Sequence, residues 1–169
     1  SLVYMVDELI RKSNHEDSGF YLNDMYKLAS LLQKNEQAGR PTLLIGVTFA
    51  LLDLAEKFHY PLKHTVVMET GGMTGRRKEL TRSETHVLLK DAWDIEQVHS
   101  EYGMTELLSQ AYSSGEGLFR CPPWMKIIVR EEDDPLSVLV NRISAEASLV
   151  TGIVNVMDLA NMSSCSLSA

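Results

Sequence analysis

The sequence has few of the residues and patterns that mark several large classes of protein. It contains only two cysteines among 169 residues, which excludes a disulfide framework and the paired thiols of a zinc site. No apolar run approaches the roughly 20 residues that a membrane-spanning helix needs. The apolar N-terminal residues lack the basic region and the cleavage signature of a signal peptide. We therefore expect a soluble protein from a reducing, cytoplasmic compartment.

The chain also lacks an excess of basic charge. Its net charge of -7 argues against a general nucleic-acid surface, which would need a basic field. Its five histidines show no ligand spacing such as His-x-x-x-His, so we do not expect zinc. Neither Cys121 nor Cys165 has a flanking base that would activate a thiolate, and we interpret both as inert.

What the chain does contain is an alternation of strand and helix signals over residues 1–99. Short apolar runs between turn signals predict buried strands at residues 2–6, 42–47, 65–68 and 95–99. Helical periodicity and capping signals predict helices at residues 7–12, 23–35, 49–58 and 82–92, capped in the last three by Asn23, Thr48 and a Thr81/Glu84 capping box. This order is typical of an α/β fold with a mostly parallel sheet and helices on both faces.

The pattern changes towards the C-terminus. Residues 110–120 are rich in glycine and serine and predict a loop, whereas residues 124–130 and 152–159 predict strands. We therefore divide the chain into an α/β subdomain, residues 1–115, and a β-rich segment of the same domain, residues 116–169.

A glycine-rich loop follows the strand predicted at residues 65–68. The backbone amides around Gly71 and Gly72 could face a phosphate or a carboxylate, although a glycine pair at a strand end is more often a simple turn. The loop has neither the Walker nor the Rossmann spacing of glycines. The basic triplet Arg76-Arg77-Lys78 could clamp a phosphate or form a salt-bridge hub for Glu69, but a solvated lead-in to the next helix is the favoured interpretation.

A second polar loop follows the strand predicted at residues 95–99 and contains Tyr102, Gly103, Met104, Thr105 and Glu106. An aromatic ring can stack on a base, and a glycine lets backbone approach a ligand closely. A threonine hydroxyl can bond a phosphate oxygen, and a glutamate can hold Mg2+. This combination indicates a nucleotide site with a metal, at the carboxyl end of a strand where such sheets bind ligands. The neighbouring His99 could either bond a substrate or satisfy backbone groups at the strand end.

The segment Tyr102-Gly103-Met104-Thr105-Glu106 resembles the aromatic-Gly-x-Thr-Glu signature of adenylate-forming enzymes. A closer resemblance is to the acyl-protein synthetase (LuxE-type) family of that superfamily, and it covers essentially the whole chain. The blocks that carry it are residues 1–6, 42–52, 68–79, 99–113, 121–125 and 158–161.

This resemblance implies a ligase in which a carboxylic acid, here a fatty acid, attacks the α-phosphate of ATP in the presence of Mg2+. The acyl-adenylate then passes its acyl group to a thiol of a protein cysteine or of CoA. The resemblance implies that Tyr102 stacks on adenine and that Gly103 and Met104 belong to the same nucleotide-binding segment. It gives the remaining roles as follows: Gly71 and Gly72 line the adenylate, Thr105 bonds the α-phosphate, Glu106 holds Mg2+, and Val47, Thr48 and Phe49 wall the acyl pocket.

Some family parts are missing from these residues: the loop that grips the β- and γ-phosphates, the aspartate that bonds the ribose, and the small C-terminal domain with its lysine. We therefore expect a central fragment of the large N-terminal domain of such an enzyme, which is inactive alone and prone to self-association. Two alternatives stay open: an aryl-acid CoA ligase of the phenylacetate type, and a truncated module that binds a nucleotide or a partner without catalysis.

Overall fold

The structure is a computed structural model that describes residues 2–71, 80–103, 109–115, 117–125 and 166–168. It is mixed α/β, and its chain divides into two compact units, Ser1–His99 and Ser100–Ala169. Within the described residues, none of the helices has the length and the apolar character needed to cross a bilayer. The β-rich segment expected from residue 116 onwards falls largely outside the described residues and stays a prediction.

The first unit alternates helices with two parallel strands. Its elements in chain order are α1 (Leu2–Ser13), α2 (Met25–Gln37), β1 (Thr42–Gly46), α3 (Thr48–Lys57), β2 (Thr65–Glu69) and α4 (Arg82–Trp93). Strands β1 and β2 pair in parallel, with Leu44 opposite Val67. A parallel pair places the carboxyl ends of both strands at the same edge, and α3 begins two residues after the end of β1.

The core of this unit lies on one face of the two strands. Leu44 and Val67 point into a cluster formed with apolar residues of three helices: Ala29 and Leu32 of α2, Leu51, Leu52, Leu54 and Ala55 of α3, and Leu89 and Trp93 of α4. On the opposite face the paired residues Leu43 and Val66 remain 48% and 44% exposed. The prediction of buried strands is therefore wrong for this second face. Continuous apolar runs are typical of strands covered on both sides, but the described helices cover only one.

The N-terminal prediction of a strand at residues 2–6 is wrong, because α1 is one continuous helix from Leu2 to Ser13. None of its residues is buried. Local interactions stabilise it instead, since Arg11 pairs with Glu8 one turn earlier and lies 3.6 Å from Asp7. A short apolar run fits a strand and a helix equally well, and here the helical period of the following residues extends through it.

The helix predictions are otherwise confirmed with small shifts. Helix α2 is capped by Asp24, whose carboxylate accepts from the Lys27 amide at 2.9 Å, rather than by Asn23. The capping box of α4 is present, with the Thr81 hydroxyl and the Glu84 side chain each accepting from the other's backbone amide.

The second unit is built on short antiparallel strands: β3 (His99–Tyr102), β4 (Ala111–Ser113), β5 (Leu118–Arg120) and β6 (Ser166–Ser168). Strands β4 and β5 form a hairpin where the sequence predicted a loop at residues 110–120. Its connection does contain the predicted glycines, and Gly117 has a positive φ of 71°. Trp124, predicted to begin a strand, lies in a turn and donates from its indole nitrogen to the Ser109 hydroxyl at 2.9 Å. The strand predicted at residues 152–159 lies outside the described residues.

Strand β3 begins four residues later than the predicted strand at residues 95–99, which is a correction with consequences for the site. Helix α4 ends at Trp93 and is capped by Asp94, whose left-handed conformation (φ 49°) turns the chain. Ile95 then packs against the core of the first unit instead of entering a strand. As a result, Tyr102 is the last residue of β3 rather than part of a loop that follows it.

Tyr60 ties the chain before β2 to α2. Its hydroxyl donates to the Ala29 carbonyl at 3.1 Å. Burial, and secondarily the negative charge of Glu36, raise the pKa of Tyr60 to about 12 from its ordinary 10.0. The folded state therefore favours the protonated phenol. The contribution of this group to stability is complete below pH 10 and is lost as the pH rises towards 12.

We expect the wild-type chain to lose more unfolding free energy than a Tyr60→Phe variant when the pH rises above 10. The phenylalanine keeps the ring and has no proton to lose. Denaturant unfolding of both proteins on either side of that pH measures the difference, and phenolate absorbance follows the titration itself. Parallel pH profiles for the two proteins would contradict the assignment.

Candidate functional site

The carboxyl end of β2 carries a buried charge. Glu69 is the last residue of the strand and shares its inward face with Thr65 and Val67, so its side chain points to the core side and is only 5% exposed overall. A carboxylate removed from water costs several kcal/mol unless it gains charged or hydrogen-bonding partners. The surrounding residues supply such partners from three separate segments.

One oxygen of Glu69 accepts two hydrogen bonds. Its Oε2 accepts from the Thr48 hydroxyl at 3.0 Å and from the Gly71 amide at 2.7 Å. The other oxygen, Oε1, lies 3.6 Å from Arg82 Nε and 3.7 Å from His86 Nε2. We call this group of five residues the Glu69 clasp. It joins the first residue of α3, the residues after β2 and the beginning of α4.

The clasp lies near the N-terminal ends of two helices, because Thr48 is the first residue of α3 and Arg82 is the first residue of α4. Helix N-termini carry partial positive charge and favour a nearby anion. The prediction that Thr48 caps α3 is wrong. Val47 occupies the cap position without a side-chain bond, and the Thr48 hydroxyl is directed to Glu69 instead. The hydrogen bond that the hydroxyl donates to a buried carboxylate is stronger than the one that it would accept from a helix amide.

Backbone hydrogen bonds extend the pairing of β1 and β2 past the strand ends. The Thr70 amide donates to the Gly46 carbonyl at 3.1 Å, and the Thr48 amide donates to the Gly71 carbonyl at 2.9 Å. Gly71 has a φ of 73°, a conformation that favours glycine, and, apart from Gly71 and its two chain neighbours, no heavy atom of the described residues lies within 4 Å of the position that a Cβ would occupy. The segment after β2 is therefore held by backbone hydrogen bonds to Gly46 and Thr48 and by the bond from the Gly71 amide to the Glu69 side chain.

This geometry decides between the two partners expected for the Gly71 amide. The amide is directed at a carboxylate of its own chain, Glu69, and not at an open position. Within the described residues, Arg82 lies within salt-bridge distance of Glu69, and His86 Nε2 lies beside the same oxygen. Gly72 and the triplet Arg76-Arg77-Lys78 lie outside the described residues.

Sequence reasoning did not assign a role to Arg82 or His86. The one available signal was their spacing of four residues, which places both on the same side of α4 one turn apart. Such spacing is common on helices and does not indicate a partner by itself. The partner, Glu69, lies on another element, so its proximity follows from the packing of α4 on the strands.

The three residues predicted to wall an acyl pocket lie around the start of α3. Val47 is 36% exposed, Phe49 is half-buried, and Thr48 is buried with its hydroxyl bonded to Glu69. The structure therefore brings Thr48 to the segment that contains Gly71. An acyl pocket at these residues stays a prediction.

The second predicted segment ends β3. Tyr102 lies opposite Ala111 of β4 and is half-buried. Its ring makes an edge-to-face contact with Phe119, with centroids 6.1 Å apart and planes at 72°. This contact fixes the orientation of the ring while part of it remains accessible. Met104, Thr105 and Glu106 lie outside the described residues, so their roles stay predictions.

A second buried carboxylate, Glu101, lies beside this tyrosine and was not singled out from the sequence. It is 8% exposed, and its Oε1 lies 2.5 Å from the position that a Cβ on Gly103 would occupy. A Cβ there would also lie 3.2 Å from Gln110 Cγ. Burial, together with the charge of Glu101 on the paired strand, raises the pKa of Tyr112 above its ordinary value. A side chain at position 103 would therefore require the Glu101 carboxylate to shift.

In the described part of the chain, no group of three or more histidine, cysteine, aspartate or glutamate side chains is placed to hold a metal ion. Comparisons with known protein families, with characterised proteins and with solved structures find no match to this chain. Function is therefore inferred from the residues of the chain itself and from the geometry around Glu69 and Tyr102.

We expect Thr48→Val to lower the free energy of unfolding by about 1.5–3 kcal/mol, the usual range for a hydrogen bond to a charged group. Valine keeps the shape of the side chain but removes the hydroxyl that donates to Glu69 Oε2. Thr48→Ser, which retains the hydroxyl, is the matched control and should lose much less. Urea unfolding measures both. A valine variant within about 0.5 kcal/mol of wild type would contradict the clasp as a stabilising interaction.

Proposed function

We propose that this chain carries nucleotide-binding residues of an ATP-dependent carboxylate-activating ligase of the acyl-protein synthetase type. The observation that carries the proposal is the placement of Tyr102. Tyr102 is the last residue of β3, and its ring makes an edge contact with Phe119. The next residue is Gly103, which lies close to the Glu101 side chain. A ring held in one orientation can stack on a flat base without first losing rotational freedom, which favours binding.

The proposed reaction has two steps. An oxygen of the substrate carboxylate attacks the α-phosphorus of ATP, the bond to the bridging oxygen breaks, and pyrophosphate leaves. The sulfur of a thiolate then attacks the acyl carbon, and AMP leaves with the electrons of the acyl–oxygen bond. In this proposal Tyr102 holds the base, Gly103 and Met104 continue the nucleotide-binding segment, and Thr105 donates to the α-phosphate.

Charge gathers on the phosphate during the first step, and Mg2+, when bound, neutralises it. In the proposal Glu106 holds this ion. A carboxylate without a cation would repel the phosphates, so Glu106 fits the reaction only as a metal ligand.

The segment after β2 supports the same proposal from the first unit. It follows the carboxyl end of a parallel strand, the position where α/β sheets bind ligands. Gly71 has open space where a side chain would lie, which permits close approach of a ligand. We assign Gly71 and Gly72 to the adenylate, and Val47, Thr48 and Phe49 to the acyl chain, with a fatty acid as substrate and a protein cysteine or CoA as acceptor.

Calorimetric titration with a non-hydrolysable fatty acyl-adenylate mimic tests the proposal without requiring turnover. We expect the wild-type chain to bind, and Tyr102→Ala to bind about 5- to 150-fold more weakly, because base–aromatic stacking contributes about 1–3 kcal/mol. Tyr102→Phe keeps the ring and is the matched control, expected to bind nearly as well as wild type.

Two further outcomes are informative. Preference for a phenylacetyl-adenylate mimic over the fatty acyl mimic would favour the aryl-acid ligase instead. Failure of the folded wild-type chain to bind either mimic, or equal binding by Tyr102→Ala, would contradict the assignment of a nucleotide site to this segment. Circular dichroism and thermal unfolding establish that each variant is folded.

A further inference from the structure

We infer that Glu69 is a positioning residue for ligand binding: through the clasp, it holds the Gly71 segment in the conformation that receives the ligand. The inference rests on the proposed function, because the ligand is the adenylate assigned there. Glu69 itself need not touch that ligand, since its carboxylate is buried and directed towards Thr48, Gly71 and α4.

The clasp needs a carboxylate in particular. Among the described residues, the Thr48 hydroxyl and the Gly71 amide both donate to Glu69, and Arg82 adds a cation that can only donate. A carboxylate offers acceptors on both oxygens. An amide of the same shape replaces one oxygen with an NH2 group, which must then face either Arg82 or the pair Thr48 and Gly71. Glu69→Gln therefore opposes donor to donor at one side of the clasp in either orientation.

The clasp also includes residues of α4, which lie outside the turn that follows β2. Arg82 and His86 approach the same oxygen, Oε1, while Thr48 and Gly71 share the other. One carboxylate therefore ties the beginnings of α3 and α4 to the backbone that follows β2. When the charge is lost, we expect the Gly71 amide to lose its hydrogen bond first, because that amide donates to Glu69. The other backbone bonds of the segment do not involve Glu69.

A second carboxylate, Glu36 of α2, provides a matched control. Its carboxylate binds the amino end of β2, where it accepts hydrogen bonds from the amides of Lys63 at 2.8 Å and His64 at 3.0 Å and from the Thr65 hydroxyl at 2.6 Å. Glu36→Gln also replaces an oxygen that accepts from backbone. It should destabilise the amino end of β2 and leave the segment after the carboxyl end unchanged.

The test compares Glu69→Gln with Glu36→Gln in the full chain, by amide hydrogen exchange and by titration with the fatty acyl-adenylate mimic. We expect Glu69→Gln to raise the exchange rate of the Gly71 amide at least about tenfold relative to the Val67 amide, and to weaken mimic binding by about tenfold or more. We expect Glu36→Gln to raise exchange at His64, with mimic affinity within about twofold of wild type. A general loss of stability would weaken binding in both variants.

Each contrary result has a distinct meaning. Unchanged exchange at Gly71 in Glu69→Gln would overturn the clasp as the anchor of that segment, whatever the function. Faster exchange with an affinity equal to that of Glu36→Gln would overturn the positioning role and leave Glu69 as a structural residue. Failure of the wild-type chain to bind the mimic would overturn the proposed function and, with it, the ligand-binding role of Glu69.

Discussion

The first unit depends on how a single negative charge is accommodated inside it. Glu69 brings a carboxylate to the core side of β2, where the residue is 5% exposed. Among the described residues, Thr48 and Gly71 donate to it and Arg82 and His86 lie beside it, and such partners offset the cost of removing the charge from water. The same convergence fixes where α3 and α4 begin relative to the strand ends. The electrostatic requirement of one side chain therefore shapes the edge at which parallel sheets bind ligands.

The two units share a local arrangement, although each forms it independently. In both, a buried glutamate precedes a glycine by two residues at the end of a strand: Glu69 and Gly71 after β2, Glu101 and Gly103 after β3. In the first unit the glycine amide donates to the carboxylate. In the second, the carboxylate occupies the space that a side chain on the glycine would need. The two glycines thus meet different needs beside a buried charge: Gly71 adopts a positive φ of 73°, and Gly103 leaves room for the carboxylate.

Local signals in the sequence were sufficient for the elements whose determinants are local. The capping box at Thr81 and Glu84 and the apolar runs around Leu44 and Val67 gave correct positions for α4, β1 and β2. The apolar residues of α1 gave the wrong element, because so short a run has no period of its own and none of the residues of α1 is buried. Strand β3 was displaced because Ile95 satisfies the same apolar pattern by packing behind the end of α4.

Several residues of the candidate site could be predicted from the sequence, but the contacts between them could not. The sequence singled out Gly71, Tyr102 and Gly103, and each does lie at or just after the end of a strand. It assigned the hydroxyl of Thr48 to a helix cap, because the competing acceptor, Glu69, lies 21 positions along the chain. The approach of His86 and the edge contact of Phe119 with Tyr102 likewise arise only when separate elements pack together. Contacts of this kind have no signature in a single sequence.

The central claim is that the segment at Tyr102 binds a nucleotide, and mapping the binding site residue by residue tests it most directly. Two-dimensional amide spectra of the isotope-labelled chain, recorded during titration with the acyl-adenylate mimic, report which backbone groups respond. We expect saturable shifts at the Tyr102 and Gly103 amides that disappear in Tyr102→Ala. Saturable shifts confined to other parts of the chain, or no shifts from a well-folded protein, would contradict it.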